Sequence, residues 1–227
     1  MRKIVKSAFV ATIPVLTGYI VLGFGFGLIL KSEGYGVFLA FVMSFLIYAG
    51  SMQYVAVSLI TGGASLITAA LTTLMVNARH IFYGVSMLDK YKGVGKRKPY
   101  LIFSLTDETY SLVCSDNSEI DEAQRKNYYL FVSILNHSYW VMGTLLGALV
   151  GALVKFNTEG IDFALTALFV TVFLEQWLTV KKYIPAIIGV AVSVLCLIIF
   201  GSNNFLIPAM LVIALILCLY KEERKNG

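Results

Sequence analysis

Residues 9–30 read FVATIPVLTGYIVLGFGFGLIL, 22 positions without one charged side chain. Wound as an α-helix at 1.5 Å per residue, the stretch is about 33 Å long, which matches the hydrocarbon core of a bilayer. It is too long and too poorly alternating for a barrel strand. Arg2, Lys3 and Lys6 precede it and Lys31-Ser32-Glu33 follow. A basic start before an apolar run is shared with signal peptides. This run, however, is longer than their usual apolar region, and no small-x-small cleavage site follows it. It is therefore expected to remain as a first membrane span.

The rest of the chain repeats the pattern. Apolar runs lie at 37–60, 66–76 (continuing after a polar break to 88), 128–154, 161–180, 184–200 and 205–220, with a weaker one at 100–114. Over 227 residues the chain is 58% hydrophobic and 14% charged, with a mean hydropathy of +0.80. Soluble domains carry roughly 45–50% apolar and about 25% charged residues. A soluble fold this small cannot hide such an excess, which excludes a water-soluble enzyme and a disordered chain together. Lipid-exposed backbone has to satisfy its own hydrogen bonds, so the expected fold is all-α. It is a single polytopic transmembrane bundle over 1–227 with six to eight membrane helices, some broken or re-entrant.

The net charge of +5 is segregated: of 18 Lys and Arg, three lie in 1–6, five in 90–98, two at 181–182 and three in 221–225. Basic loops stay on the cytoplasmic side, so this charge orients the chain and does not point to nucleic acid. Both termini and the 181–182 loop fit the cytoplasm. The 90–98 loop leaves two solutions open. Either 64–88 is a re-entrant hairpin with 100–114 re-entrant or surface-lying, giving six crossings with the loop inside, or both segments cross, giving eight with the loop outside. A short internal match at an offset of 123, residues 44–54 against 167–177, suggests two repeat halves, 5–115 and 128–220. Duplicated halves are common in transporters, with substrate held between them.

Ionisable groups within spans are costly, about 2.5–3.5 kcal/mol each on insertion scales, and are functional candidates by default. Asn77-Ala-Arg79-His80 follows the run 66–76. His80, Tyr83 and Gly84 share a helical face, with Arg79 one turn before Tyr83. A guanidinium holds a carboxylate by two parallel hydrogen bonds, and histidine exchanges protons near neutral pH. The plainer reading pairs Arg79 with a lipid phosphate or with Asp89. A second group, Ser104, Asp107, Glu108, Ser111 and Ser115, forms a polar stripe if 100–115 is one short helix. That helix either lies on the membrane surface or turns its acids into the bundle, to neutralise Arg79 or to carry a proton. A third stripe holds Ser133, Asn136, His137, Trp140, Thr144, Gly147 and Gly151. Its glycines suit close helix packing. Asn136 and His137 fit an interhelical hydrogen bond as well as a substrate contact or proton site. Glu175, before Gln176-Trp177, reads as a proton site or an interfacial anchor.

Pro14, Gly23, Gly25 and Gly27 suggest that the first span is broken or kinked, freeing backbone groups toward a substrate. The three cysteines have no metal-like spacing and read as packing residues. No metal or cofactor is expected. The chain has no GxGxxG, P-loop, HExxH or GxSxG motif, so neither ATP drive nor catalysis has support.

Taken in order, Pro14-x3-Gly18 with Gly23-Phe-Gly25, Tyr48-Ala-Gly-Ser-Met-Gln53, Asn77-Ala-Arg79-His80-x2-Tyr83-Gly84 and Thr106-Asp107-Glu108-x-Tyr110 resemble the AzlC family. These are large subunits of bacterial branched-chain amino-acid exporters. The resemblance covers most of the chain and is most specific at 77–84 and 106–110. It implies export of valine, leucine, isoleucine and methionine from the bacterial cytoplasm, and a small membrane partner of the AzlD type. It leaves homo- or hetero-oligomers open. On the residues themselves, Arg79 or His80 suits a substrate carboxylate and Asp107, Glu108 or Glu175 an ammonium, with Gln53, Tyr83, Asn136 and Trp140 as further contacts. Asp107, Glu108, His137 and Glu175 are the proton-coupling candidates. A channel for small solutes and a non-transporting scaffold are the rival classes.

Overall fold

A computed structural model describes residues 2–114, 120–153 and 183–205, with short pieces at 170, 174, 177, 208–209, 211–213, 215–217 and 219. The chain packs as two units, Met1–Leu165 and Thr166–Gly227.

The first unit is organised by two long helices, α1 (Arg2–Ser32) and α8 (Glu122–Leu153). They run parallel and in contact. A Cβ on Gly143 would press on the backbone of Tyr19 and Ile20, one on Gly147 on that of Phe24, and one on Gly151 on the side chains of Leu28 and Lys31. From the other side, Gly23 meets the backbone of Trp140 and Thr144, and Gly27 that of Thr144 and Ala148. Backbones this close exchange dispersion contacts that any side chain would prevent. The facing residues Ile20 and Gly143, Phe24 and Gly147, Leu28 and Gly151 share the offset of the internal match. The second copy of that match, 167–177, lies almost wholly outside the described residues.

This geometry corrects the expectation of a broken first span. α1 continues as one helix through Pro14, Gly23 and Gly25. Proline costs one intrahelical bond, which membrane helices tolerate where Ser or Thr hydroxyls take up nearby carbonyls. Thr12 and Thr17 do so, on Phe9 and Pro14. The glycines serve packing.

The breaks lie elsewhere. After the turn at Gly34, α2 (Val37–Val42) passes into a π-helical turn at Met43–Ile47 and stops at Tyr48 (φ 45°). A bulky residue in the left-handed region is strained and is held there only by its surroundings. The chain reverses, and α3 (Gly50–Thr61) runs back. Ser44 bonds Thr144, Gly50 abuts Trp140, Tyr54 reaches the carbonyl of Leu22, and Val57 packs with Phe26, Ile29 and Leu30. Residues 37–61 are therefore a hairpin that enters from the end of α1 at Ser32 and turns back in mid-bundle. They are not the single crossing that the uncharged run at 37–60 suggests.

From there α4 (Leu66–Val76), capped by the Ser65 hydroxyl, and α5 (Ala78–Ser86) traverse the bundle with one interruption at Asn77. Met87, Tyr91 and Val94 pack against Ile4 and Ala8 at the other end. Segment 64–88 thus goes from end to end and is not the hairpin. The basic loop at 90–98 lies beside the start of α1 and also of α8, where Arg97 bonds Asn127 at 2.7 Å.

Next, α6 (Lys98–Phe103) and α7 (Asp107–Cys114) form a second hairpin, entering from this basic end. Its tip, Ser104–Thr106, is buried against Tyr19, and its return places Val113 and Ile120 in the Ile4 cluster. Lys90 closes onto the Cys114 carbonyl at 2.5 Å. Residues 100–115 are accordingly not one helix, and the polar stripe read on them is split at the tip. Both solutions drawn from charge and length are replaced by a third, in which opposed hairpins reach the middle from either end.

In the second unit α9 (Ile184–Asn204) is interrupted at Gly201 (φ 72°). Val192 and Cys196 pack with Ala209, Ile213 and Ile216. Glu175 lies outside the described residues.

Candidate functional site

Three short helices begin in mid-bundle: α3 at Gly50, α5 at Ala78 and α7 at Asp107. Arg79 joins all three. Its guanidinium makes an ion pair with Asp107 at 2.8 Å and donates to Ser51 Oγ at 3.1 Å. Both side chains of the pair keep about a third of their surface, 33% and 31%. Arg79 Nε, Asp107 Oδ1 and Asn77 Oδ1 are buried and have no hydrogen-bond partner. α5 and α7 then descend side by side to the basic end, with Tyr83 stacked on Tyr110 at 4.4 Å and Ser86 bonded to the Tyr110 hydroxyl at 3.1 Å. His80 sits edge-on to Tyr83 at 5.8 Å. Of the expected group, Arg79 is joined to Asp107 and His80 to Tyr83, and of the two acids it is Asp107 that pairs with Arg79.

Glu108 points to a different neighbour. Its Oε2 accepts from the Tyr19 hydroxyl at 2.5 Å, and Tyr19 also bonds Thr106 at 2.7 Å. Thr106 Oγ1 lies 3.1 Å from Thr109 Oγ1, which accepts from Asn136 at 3.0 Å. Asn136 is completely buried and keeps an unpartnered Oδ1. Two adjacent acids thus enter separate networks, one with an arginine and one with hydroxyls.

Gln53 and Trp140 bind each other. Trp140 Nε1 donates to Gln53 Oε1 at 2.8 Å, and Gln53 Nε2 donates to Ser44, which reaches Thr144. All four are buried. This chain stitches the first hairpin to α8 and leaves Gln53 and Trp140 engaged with each other. His137 lies among aromatic rings, 4.3 Å from Tyr48 and 5.3 Å from Phe45 by centroids, with the Tyr100 hydroxyl 3.2 Å from Nδ1. It is not brought into contact with Asp107 or Glu108.

Sequence reasoning missed Ser51, Tyr19, Thr109 and the turn at Tyr48. The one local signal was Ala49-Gly50-Ser51, small and polar within an apolar run, where Gly50 leaves only 3.1 Å between an added Cβ and the Trp140 ring. Tyr19 carried no signal, because its partners lie 87 and 89 positions away.

Among known proteins, the chain is 46% identical over 224 residues to the branched-chain amino acid transport protein AzlC of Bacillus subtilis, covering 98% of this chain and 87% of that one. It is 39% identical over 221 residues to an uncharacterized membrane protein of Helicobacter pylori, covering 97% and 96%. It is 29% identical over 172 residues to the inner membrane protein YgaZ of Escherichia coli, covering 73% and 70%. No solved structure matches the chain. The family model for the AzlC protein matches residues 14–154, which hold both hairpins, α8 and the Arg79–Asp107 pair. This chain is a membrane protein of the AzlC family.

Proposed function

We propose that the chain is a secondary transporter that exports valine, leucine, isoleucine and methionine across the bacterial cytoplasmic membrane. In this reading export is proton-coupled and works beside a small AzlD-type membrane subunit. The observation that carries it is the Arg79–Asp107 pair, held at 2.8 Å halfway along the bundle by half-length helices. Ionisable residues at such depth and at helix breaks are the recurring architecture of transport sites. The Bacillus subtilis relative's name supports the substrate class. Arg2, Lys3 and Lys6 share one end with the 90–98 loop, which supports placing that end in the cytoplasm. Glu108, bonded to Tyr19, is the proton-carrying candidate on this reading.

The test is efflux of labelled valine from preloaded cells expressing the chain, alone and beside a candidate small subunit. Saturable efflux that Arg79→Ala abolishes, with the variant still inserted in the membrane, is the expected result. Unsaturable flux accompanied by conductance marks a channel. Normal export by Arg79→Ala removes the site from the mechanism.

A further inference from the structure

We propose that the Arg79–Asp107 pair is the head-group site for an α-amino acid, and that the substrate occupies it by splitting the pair. The substrate carboxylate takes the place of Asp107 on the Arg79 guanidinium, and the α-ammonium is received by Asp107 and Asn77. The inference rests on the amino-acid transport reading and specifies its site.

Four observations carry it. First, the pair is the right shape for exchange: one planar cation facing one carboxylate, each with about a third of its surface open, so that a small dipolar molecule has a route to both. Second, the pair itself leaves one buried donor, Arg79 Nε, and one buried acceptor, Asp107 Oδ1, without partners, and Asn77, two residues before Arg79, leaves a further acceptor, its Oδ1. Buried polar atoms are almost always satisfied, and this set is complementary to a zwitterion, whose carboxylate needs donors and whose ammonium needs acceptors. Third, the guanidinium is held by Ser51 from the opposite hairpin, so it stays oriented when Asp107 turns away. Fourth, among the described residues the remaining Lys and Arg lie toward the ends of the bundle, which leaves Arg79 as the mid-bundle cation. A structural salt bridge needs none of these unpaired atoms.

The consequence is a rule about substrates. The site reads the amino and carboxyl groups together and leaves selection among side chains to its surroundings. A site built to bond a polar group rejects the analogue that lacks it.

The experiment uses the purified full-length chain in lipid nanodiscs, with bound labelled L-leucine displaced by unlabelled compounds. L-Leucine is expected to compete, while 4-methylpentanoate (no ammonium) and isopentylamine (no carboxylate) compete at least about tenfold less well. Asp107→Asn is expected to weaken L-leucine at least about tenfold while 4-methylpentanoate binds as well as before or better, since Arg79 is then unpaired. The exchange Arg79→Asp with Asp107→Arg restores an ion pair and is expected not to restore L-leucine binding. The proposal is overturned if either analogue displaces as well as L-leucine does, a result that requires no variant to fold. It is equally overturned if Asp107→Asn binds L-leucine normally, or if the charge exchange recovers it. Absence of binding of any amino acid by the native chain, both alone and beside the small subunit, overturns the transport reading beneath it, and so separates the two failures.

Discussion

The Tyr19 hydroxyl donates to Glu108 at 2.5 Å across the gap between α1 and the tip of the second hairpin. Asp107, one residue earlier, turns to Arg79 instead. This division predicts different phenotypes for two adjacent acids. Glu108→Gln keeps an acceptor for Tyr19 and loses the titratable proton. It is expected to retain exchange of labelled for unlabelled leucine across vesicles while losing accumulation driven by a pH gradient. Counterflow and gradient-driven uptake on the same vesicles check it, and loss of both would assign Glu108 a structural role.

Gly147 faces the carbonyl of Phe24, and no side chain fits between them. Gly147→Ala forces α1 and α8 apart and is expected to cost about 1–3 kcal/mol, as overpacking does. Gly84, with nothing within 4 Å of an added Cβ, serves as the control. Thermal denaturation of the detergent-solubilised protein should show a lowered midpoint for Gly147→Ala and none for Gly84→Ala.

Trp140→Phe removes the donor that satisfies Gln53 Oε1 and leaves that acceptor buried. An unsatisfied buried group costs about 1–3 kcal/mol. The same melting assay is expected to show the loss. Adding Gln53→Leu on top should cost less than it does in the native chain, because the two residues are coupled.

The opposed hairpins make a prediction about sidedness. In a background lacking the three native cysteines, single cysteines at Lys3 and Gly95 should react with a membrane-impermeant maleimide from one face. A cysteine at Gly62, in the turn between α3 and α4, should react from the other. Labelling of intact cells against inverted vesicles decides it, and Gly62 reacting together with Gly95 would exclude the hairpin at 37–61.

Much of this was legible in the chain. The uncharged run at 9–30 and the glycine-lined polar stripe of α8 announce two long helices, because period and length act locally. The Asn77–Tyr83 group is also local, and its depth marks it. Direction was not legible. Residues 37–60 have the composition of a crossing, and only Tyr48, held in a left-handed conformation by packing from α8 and the second hairpin, turns them back. The same limit hid Tyr19, an ordinary aromatic in an apolar run until the tip of another hairpin arrives beside it. The glycines of α1 were misread for a related reason. A break and a close approach call for the same residue, and only the neighbour distinguishes them.

Two hairpins that stop in mid-bundle bring Tyr48, Ser51 and Thr106 to the depth of the Arg79–Asp107 pair, part of the way through any voltage across the bundle. Moving one charge through the whole voltage is worth about 2.3 kcal/mol per 100 mV. A proton or an ammonium that reaches the pair from one end collects part of that work, and the remainder on leaving toward the other.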